Sequence, residues 1–389
     1  MPESMREIPA GVGLGWRPQL APLVIKHPAL VDFIEVPLHL YSVEEYQQQD
    51  DPGWKVLSKA AELVPFISHG PCLSIGTAES PEGQALDNVQ KLIQHFPIRS
   101  YSEHLCYMGI GGKQTNAFIS LPFNDMAVET AVKNIRYVQQ KLGVPFLLEN
   151  ITQHFTFSHG SMTEMEFISR VVEEADCGIL LDVANVFINA RNHGYDPYEF
   201  IDGLPAERIM QSHYCGASYV PYENYFYDSH SQPTSTPIWE LLEYALNKTN
   251  LNTLIYERDS RLFYQDEVMS DIWQARELYL KYRKKPEKLK PARKPEIKDV
   301  QIKLEYNSEF RRFQEAFLSL LMSPVLSARY DKYGDSVLEK YQLDKESLAT
   351  IASVHPAQRE RLASYIQSKP VQPELKEMDE DKIPDAYQR

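Results

Sequence analysis

Short apolar runs alternate with longer stretches of helical periodicity from Gly11 to about Tyr282. The runs predicted as strands are Gly11–Gly15, Phe33–Pro37, Val64–Gly70, Tyr101–Tyr107, Pro145–Asn150, Gly178–Val183, Arg208–Tyr214 and Thr253–Asp259. Between most of them apolar residues recur at helical spacing, as in Ala127–Leu142 and Glu164–Ala175. Strands alternating with helices imply a parallel sheet, because each parallel pair needs a crossover. Eight such units in this length predict an α/β fold of the (β/α)8 TIM-barrel type over residues 1–282. An open doubly wound sheet would require a glycine-rich phosphate turn opening a helix after the first strand, and GVGLG lacks that spacing.

The pattern breaks after Tyr282. Residues 283–299 are rich in Lys and Pro, and their prolines forbid a continuous helix, so they read as a linker. Residues 300–368 read as a small, mainly α-helical C-terminal domain. Within it Val300–Tyr306 alternates like a strand, and helices are expected at Phe310–Leu321, Val337–Tyr341 and Ala357–Ile366. The acidic, proline-containing residues 369–389 are expected to be disordered.

Composition narrows the function. Of 389 residues 43% are hydrophobic and 24% charged, and 40 Lys+Arg against 54 Asp+Glu give a net charge of -14. That balance disfavours a phosphate backbone, and the basic linker has no interleaved aromatics to stack bases, so no nucleic-acid partner is expected. No apolar run approaches the ~18 residues that span a bilayer, and the N-terminus lacks a secretory pattern. Four cysteines without a CxxC are not a disulfide framework. A cytoplasmic protein with no membrane partner is expected.

Barrel chemistry gathers at the C-terminal ends of strands. There the chain carries His69, His104, Glu149, Asp182 with Asn185 three residues on, His213 and Glu257. Asp228 and His230 form an i, i+2 pair before the eighth strand, which an extended segment would turn to one side. One strand-end histidine is commonly a hydrogen-bonded core residue. Six consecutive strands each delivering His, Asp or Glu is a different matter, since a ring of four carboxylates repels itself unless cations neutralise it. Four histidines, four carboxylates and one Asn exceed the needs of a single ion, and N/O donors suit Fe, Mn or Zn in a reactive site. Cys106 and Cys215 lie two residues after His104 and His213; they read either as small buried hydrophobes or as thiols near the centre.

The motifs GVGLGWRP, FIEVPLHLY, ISHGPCLSIG, SEHLCY, LLENIT, LLDVANVFINARNHGYDP, DSHSQP and YERD occur in that order between Gly11 and Tyr282. At these residues the sequence resembles the multinuclear non-heme iron-dependent oxidative enzymes that modify ribosomally made peptides, the family of the methanobactin oxazolone–thioamide synthase subunit. The resemblance implies three neighbouring metal sites. One uses Glu149, Asp182, His213 and Glu257; a second His69, His104 and a bridging Glu149; a third Asn185, Asp228 and His230. Asn150 and the Asn192–His193 pair occupy motif positions behind the ligands. It further implies two or three irons in a mixed Fe(II)/Fe(III) state, with O2 as co-substrate and an oxidised peptidyl residue, most often cysteine. The partners implied are a precursor peptide and a separate small protein that captures its leader; the C-terminal domain is expected either to dock the leader in cis or to anchor such a protein. The pattern is more distantly similar to xylose-isomerase-like barrels and apurinic endonucleases, metal-dependent isomerases and hydrolases with Asp-x-x-His where this chain has Asp182-x-x-Asn185. A non-catalytic scaffold is the third reading, opposed by the density of ligand-type residues.

Overall fold

A computed structural model describes residues 8–41, 51–284 and 304–368. Eight parallel strands close a barrel: β1 (Gly11–Gly15), β2 (Phe33–Val36), β3 (Phe66–Gly70), β4 (Ile98–His104), β7 (Phe146–Glu149), β8 (Gly178–Asp182), β9 (Ile209–Tyr214) and β12 (Thr253–Tyr256). β12 pairs with β1, so the sheet has no free edge. The eight predicted strands are all present. The fourth lies earlier than expected, because the apolar run Tyr101–Tyr107 spans a break: β4 ends at His104 and β5 (Tyr107–Ile110) begins an antiparallel hairpin with β6 (Lys113–Ile119). A second hairpin, β10 (Gly216–Val220) and β11 (Tyr225–Gln232), follows β9.

The helices are α1 (Ala21–Lys26), α2 (Pro52–Leu63), α3 (Gln84–His95), α4 (Asp125–Leu142), α5 (Glu164–Ala175), α6 (Val183–His193), α7 (Pro197–Asp202), α8 (Thr236–Lys248) and α9 (Gln265–Tyr282). Local sequence sets their ends. Thr163 and Glu166 form a reciprocal capping box at α5, and Gly143 takes the left-handed conformation after α4.

The barrel interior explains where the chemistry lies. Phe33, Ile67, Leu147, Leu180 and Ile255 form one apolar cluster with Ile8, apart from the larger core beneath the helices. Gly13 makes room for it, since a Cβ there would fall 2.1 Å from the Phe33 ring. Side chains two residues further along each strand face inward again, one layer nearer the C-terminal mouth. Those residues are Glu35, His69, Glu149, Asp182 and Glu257.

Beyond Leu304 the chain is helical: α10 (Ser308–Met322), α11 (Pro324–Tyr333), a 3-10 segment Gly334–Tyr341, α12 (Lys345–Ala352) and α13 (Pro356–Ser368). The helix expected at Val337–Tyr341 is thus a 3-10 turn. Leu304–Tyr306 is not strand: Tyr306 instead donates its hydroxyl to Asn134 Oδ1 at 2.6 Å, and Lys133 Nζ bonds the Glu305 carbonyl. The rest of the expected strand, residues 285–299 of the linker and the acidic tail lie outside the described residues. These helices pack on loops that follow barrel strands. Buried Gln314 bonds Gly76 O and Ala78 N behind β3, Phe313 and Phe317 pack with Phe155 and Phe157 behind β7, and Arg361 lies over Tyr225 of β11. Phe310, Phe313 and Phe317 belong to the same continuous core as the barrel's helices. Among the described residues no helix is long and apolar enough to cross a membrane.

Candidate metal centre

The mouth brings together eight of the nine expected ligand residues, and the ninth, Asn185, is bonded through its backbone N–H to Asp182. His69 Nε2, His104 Nε2 and Glu149 Oε2 stand 3.2, 3.2 and 3.3 Å apart. Donors bonded to one ion at about 2.0–2.1 Å lie about 2.9 Å apart at right angles and about 3.4 Å apart at the tetrahedral angle. The triangle therefore has the edges of a coordination polyhedron. Ser102 Oγ stands 2.9 Å from His69 Nδ1 and 3.3 Å from Ser68 O; a hydroxyl that donates to the carbonyl accepts from Nδ1 and leaves Nε2 to face inward as an acceptor. Burial first, then its histidine neighbours, lowers His69 well below the usual imidazole range; burial pushes His104 down to about 4. Both shifts favour the neutral ring, the form in which a histidine binds metal. Phe118 of β6 covers the His104 ring at 4.0 Å.

His213 is fully buried between three carboxylates. Nδ1 lies 3.0 Å from Glu149 Oε1 and 3.1 Å from Glu257 Oε2, and Nε2 lies 3.0 Å from Glu35 Oε2. Burial opposes its charge, but Glu35, Glu257 and Glu149 together hold the ring well above its ordinary value. Asp182 sits beside this group, its ligand atom within 4.8 Å of those of Glu149 and His213. Burial, then the charges of Asp228 and Glu149, raises its carboxyl well above the usual range. The position of Asp182 is built from the backbone: it caps α6 by accepting from Asn185 N, and Asn150 bonds both its N–H and its carbonyl.

The third group uses the β10–β11 hairpin. Asp228 and His230 do face each other, Oδ1 to Nε2 being 2.6 Å, but a bulge brings this about rather than simple alternation. His230 adopts φ 46°, a left-handed conformation costing about 1–3 kcal/mol for a non-glycine residue. Gly216 permits the bulge, since a Cβ would fall 2.3 Å from the carbonyls of Gln232 and Pro233. His230 Nδ1 bonds Asp259 Oδ2 at 3.0 Å, and Arg17 pairs with the same carboxylate. Burial opposes the charge of His230, yet Asp228 and its other neighbours raise it well above its ordinary value.

The residues fit a metal centre on their own chemistry. Glu149 Oε2, Asp182 Oδ2 and Asn185 Oδ1 are buried atoms with no hydrogen-bond partner, where such groups are otherwise satisfied, and Asp228 Oδ1 is paired with His230 Nε2. Asn185 donates its Nδ2 to Asn150 O, which leaves Oδ1 as the atom free to ligate. Glu149, Asp182 and His213 are 2%, 1% and 0% exposed, whereas the side chains of Glu257, His230 and Asp228 are 13%, 14% and 21% exposed. The centre is closed beneath and open toward the hairpin.

Two residues depart from expectation. His193 spends its ring on the Gln153 carbonyl at 2.7 Å, while Asn192 bonds both backbone groups of Phe226; they fasten a loop and the hairpin instead of touching a candidate ligand. Glu35 is the residue that sequence reasoning passed over. Its signal was available, since it stands two positions after interior Phe33 as His69 does after Ile67.

Residues 11–279 match the profile of the family described as RiPP precursor modification enzyme MbnB/TglH/ChrH. UPF0276 proteins are similar over the same region. That of Acaryochloris marina is 29% identical, covering 68% of this chain and 93% of its own length, and that of an Anaeromyxobacter species is 33% identical, covering 65% and 86%. Among solved structures, a zinc-bound IolI protein aligns at 11% identity and TM-score 0.47 over 71% of this chain and all of its own. The D-psicose 3-epimerase of Clostridium cellulolyticum H10 aligns at 14% and 0.44 over 69% and 99%. With the profile matched across the whole barrel and its mouth, the chain belongs to the RiPP precursor modification enzymes of the MbnB/TglH/ChrH family.

Proposed function

We propose that this chain is an O2-dependent multinuclear non-heme iron enzyme that oxidatively modifies a residue, most readily cysteine, of a ribosomally synthesised precursor peptide. The observation that carries the reading is the set of partnerless buried donor atoms at the barrel mouth, in a member of a peptide-modifying family. Glu149, Asp182, His213 and Glu257 would hold one ion; His69, His104 and the bridging Glu149 a second; Asn185, Asp228 and His230 a third. When bound, iron supplies redox chemistry toward O2 and the peptide side chain.

The protein's own residues do the rest. Ser102 fixes the His69 tautomer, Glu35 holds the far nitrogen of His213, and Asn150 clamps the backbone of Asp182. Phe118 and the buried barrel floor keep water from the inner donors. The more exposed Asp228, His230 and Glu257 mark the side on which a peptide meets the centre.

We read residues 304–368 as a unit that serves the same substrate, holding the leader itself or seating a small leader-binding protein. Its contacts with the loops behind β3, β7 and β9 support this, since those loops surround the catalytic end. The test is mass spectrometry of cysteine-containing candidate precursors incubated with the iron-loaded full chain. An O2-dependent mass change confined to a cysteine-bearing segment is expected. Turnover by zinc-loaded protein, or without O2, would overturn the oxidase in favour of a hydrolase or isomerase.

A further inference from the structure

Of the four cysteines, one stands among the ligands themselves. Cys215 follows β9 immediately, two residues beyond His213 and one before the bulge glycine Gly216, and is fully buried. Its Sγ, a carboxylate oxygen of Asp228 and a ring nitrogen of His230 all lie within 4.8 Å of one another. With metal–sulfur bonds of about 2.3 Å and metal–nitrogen bonds of about 2.1 Å, a shared ion spaces S and N about 3.1 Å apart at right angles and about 4.4 Å when opposed. The spacing admits one.

Asp228 Oδ1 and His230 Nε2 form an ion pair at 2.6 Å, a contact that a shared ion would open. An independent observation points to a ligand there. Asp182, 1% exposed and with Oδ2 unpartnered, places a carboxylate oxygen within 4.8 Å of the His230 donor atom. The strained φ of His230 and the close approach at Gly216 hold this arrangement in place.

We propose that Cys215 is a thiolate ligand of the ion held by Asp228 and His230. On loading, the thiol proton leaves to solvent and the sulfur–metal bond takes its place, with no change of oxidation state. Cys106, two residues after His104, joins no such group among the described residues, and the set formed there is His69, His104 and Glu149. Cys215 thus distinguishes the outer ion from the inner two, which have only nitrogen and oxygen donors. The inference rests on the metal centre of the proposed function, though not on peptide oxidation.

The test is an anaerobic Co(II) titration of the full chain, read by absorption without peptide or O2. A thiolate-to-cobalt charge-transfer band in the near ultraviolet is expected in the wild type and in Cys106→Ala, and is expected to vanish in Cys215→Ala. That variant should also bind its weakest equivalent at least as much worse as the roughly 10- to 100-fold lost with an outer-shell partner. A chain with Cys72, Cys106 and Cys177 all changed to Ala retains the band whether or not Cys215→Ala folds. Cobalt bound at saturation with no band, or a band that survives in Cys215→Ala, overturns the thiolate. Failure to bind cobalt at all would instead sink the metal centre.

Discussion

Substituting Glu35 with Gln tests the reading of the site where sequence and structure diverge. Glu35 Oε2 accepts from His213 Nε2 at 3.0 Å and is 4% exposed, while the opposite ring nitrogen faces Glu149 and Glu257. A carboxylate behind a ligating imidazole fixes its tautomer and raises its basicity, and its loss costs about 10- to 100-fold in metal affinity. That range corresponds to roughly 1.4–2.7 kcal/mol. Gln keeps the shape and an acceptor oxygen but removes the charge, so Glu35→Gln should bind metal more weakly within that range while holding the same number of ions at saturation. A chelator-competition titration gives the affinity and metal analysis the count. Thermal unfolding supplies an independent check, because stabilisation by saturating metal should shrink by the same 1.4–2.7 kcal/mol or so. Unchanged affinity would refute the orienting role. Loss of one ion would show Glu35 to be a ligand itself.

The remaining expectations concern the rest of the chain. In the metal-free protein Cys106, Cys177 and Cys215 should not react promptly with DTNB at mildly alkaline pH, whereas half-buried Cys72 is the most accessible of the four. Burial, before any other influence, raises the three buried thiols, with Cys177 and Cys215 pushed up to about 12; four thiols should appear on unfolding, and prompt native reaction of Cys215 would contradict its burial. Metal uptake should release protons, because His213, His230 and Asp182 are all held well above their ordinary values in the metal-free chain. Apparent affinity should accordingly rise with pH, by about tenfold per unit for each proton displaced, and a flat profile would show that these groups are not ligands. Gln314→Ala strands the Gly76 carbonyl and the Ala78 N–H in a buried contact, at about 1–3 kcal/mol for each group left unsatisfied. Denaturant unfolding should register that loss, and wild-type stability would mean that α10 is not fastened to the barrel through this residue.

Much of the barrel was legible because most strands are short apolar runs with a polar residue of ligand type at or beside the C-terminal end. The runs at Gly178–Asp182 and Phe146–Glu149 say both where the strand stops and what stands at the mouth. Glu35 stands one residue before the end of its strand, as His69 and His213 do, and the inward phase of Phe33 marks it as well. The Asp228–His230 pair was found for a reason the structure replaces, since alternation cannot foresee a bulge that depends on Gly216 meeting two carbonyls distant in sequence. Leu304–Tyr306 alternates like a strand but packs across α4, where tertiary contact outweighs local pattern. His193 lies in a motif rich in ligand-type residues, and nothing local shows that its ring is used on the Gln153 carbonyl.

The proposed oxidase requires two or three irons at the barrel mouth. Metal analysis and Mössbauer spectroscopy of the full chain, purified anaerobically after expression with added iron, should give two or three irons per chain, part Fe(II) and partly antiferromagnetically coupled. Zinc in the same positions, with no redox-active iron taken up on reconstitution, would contradict it.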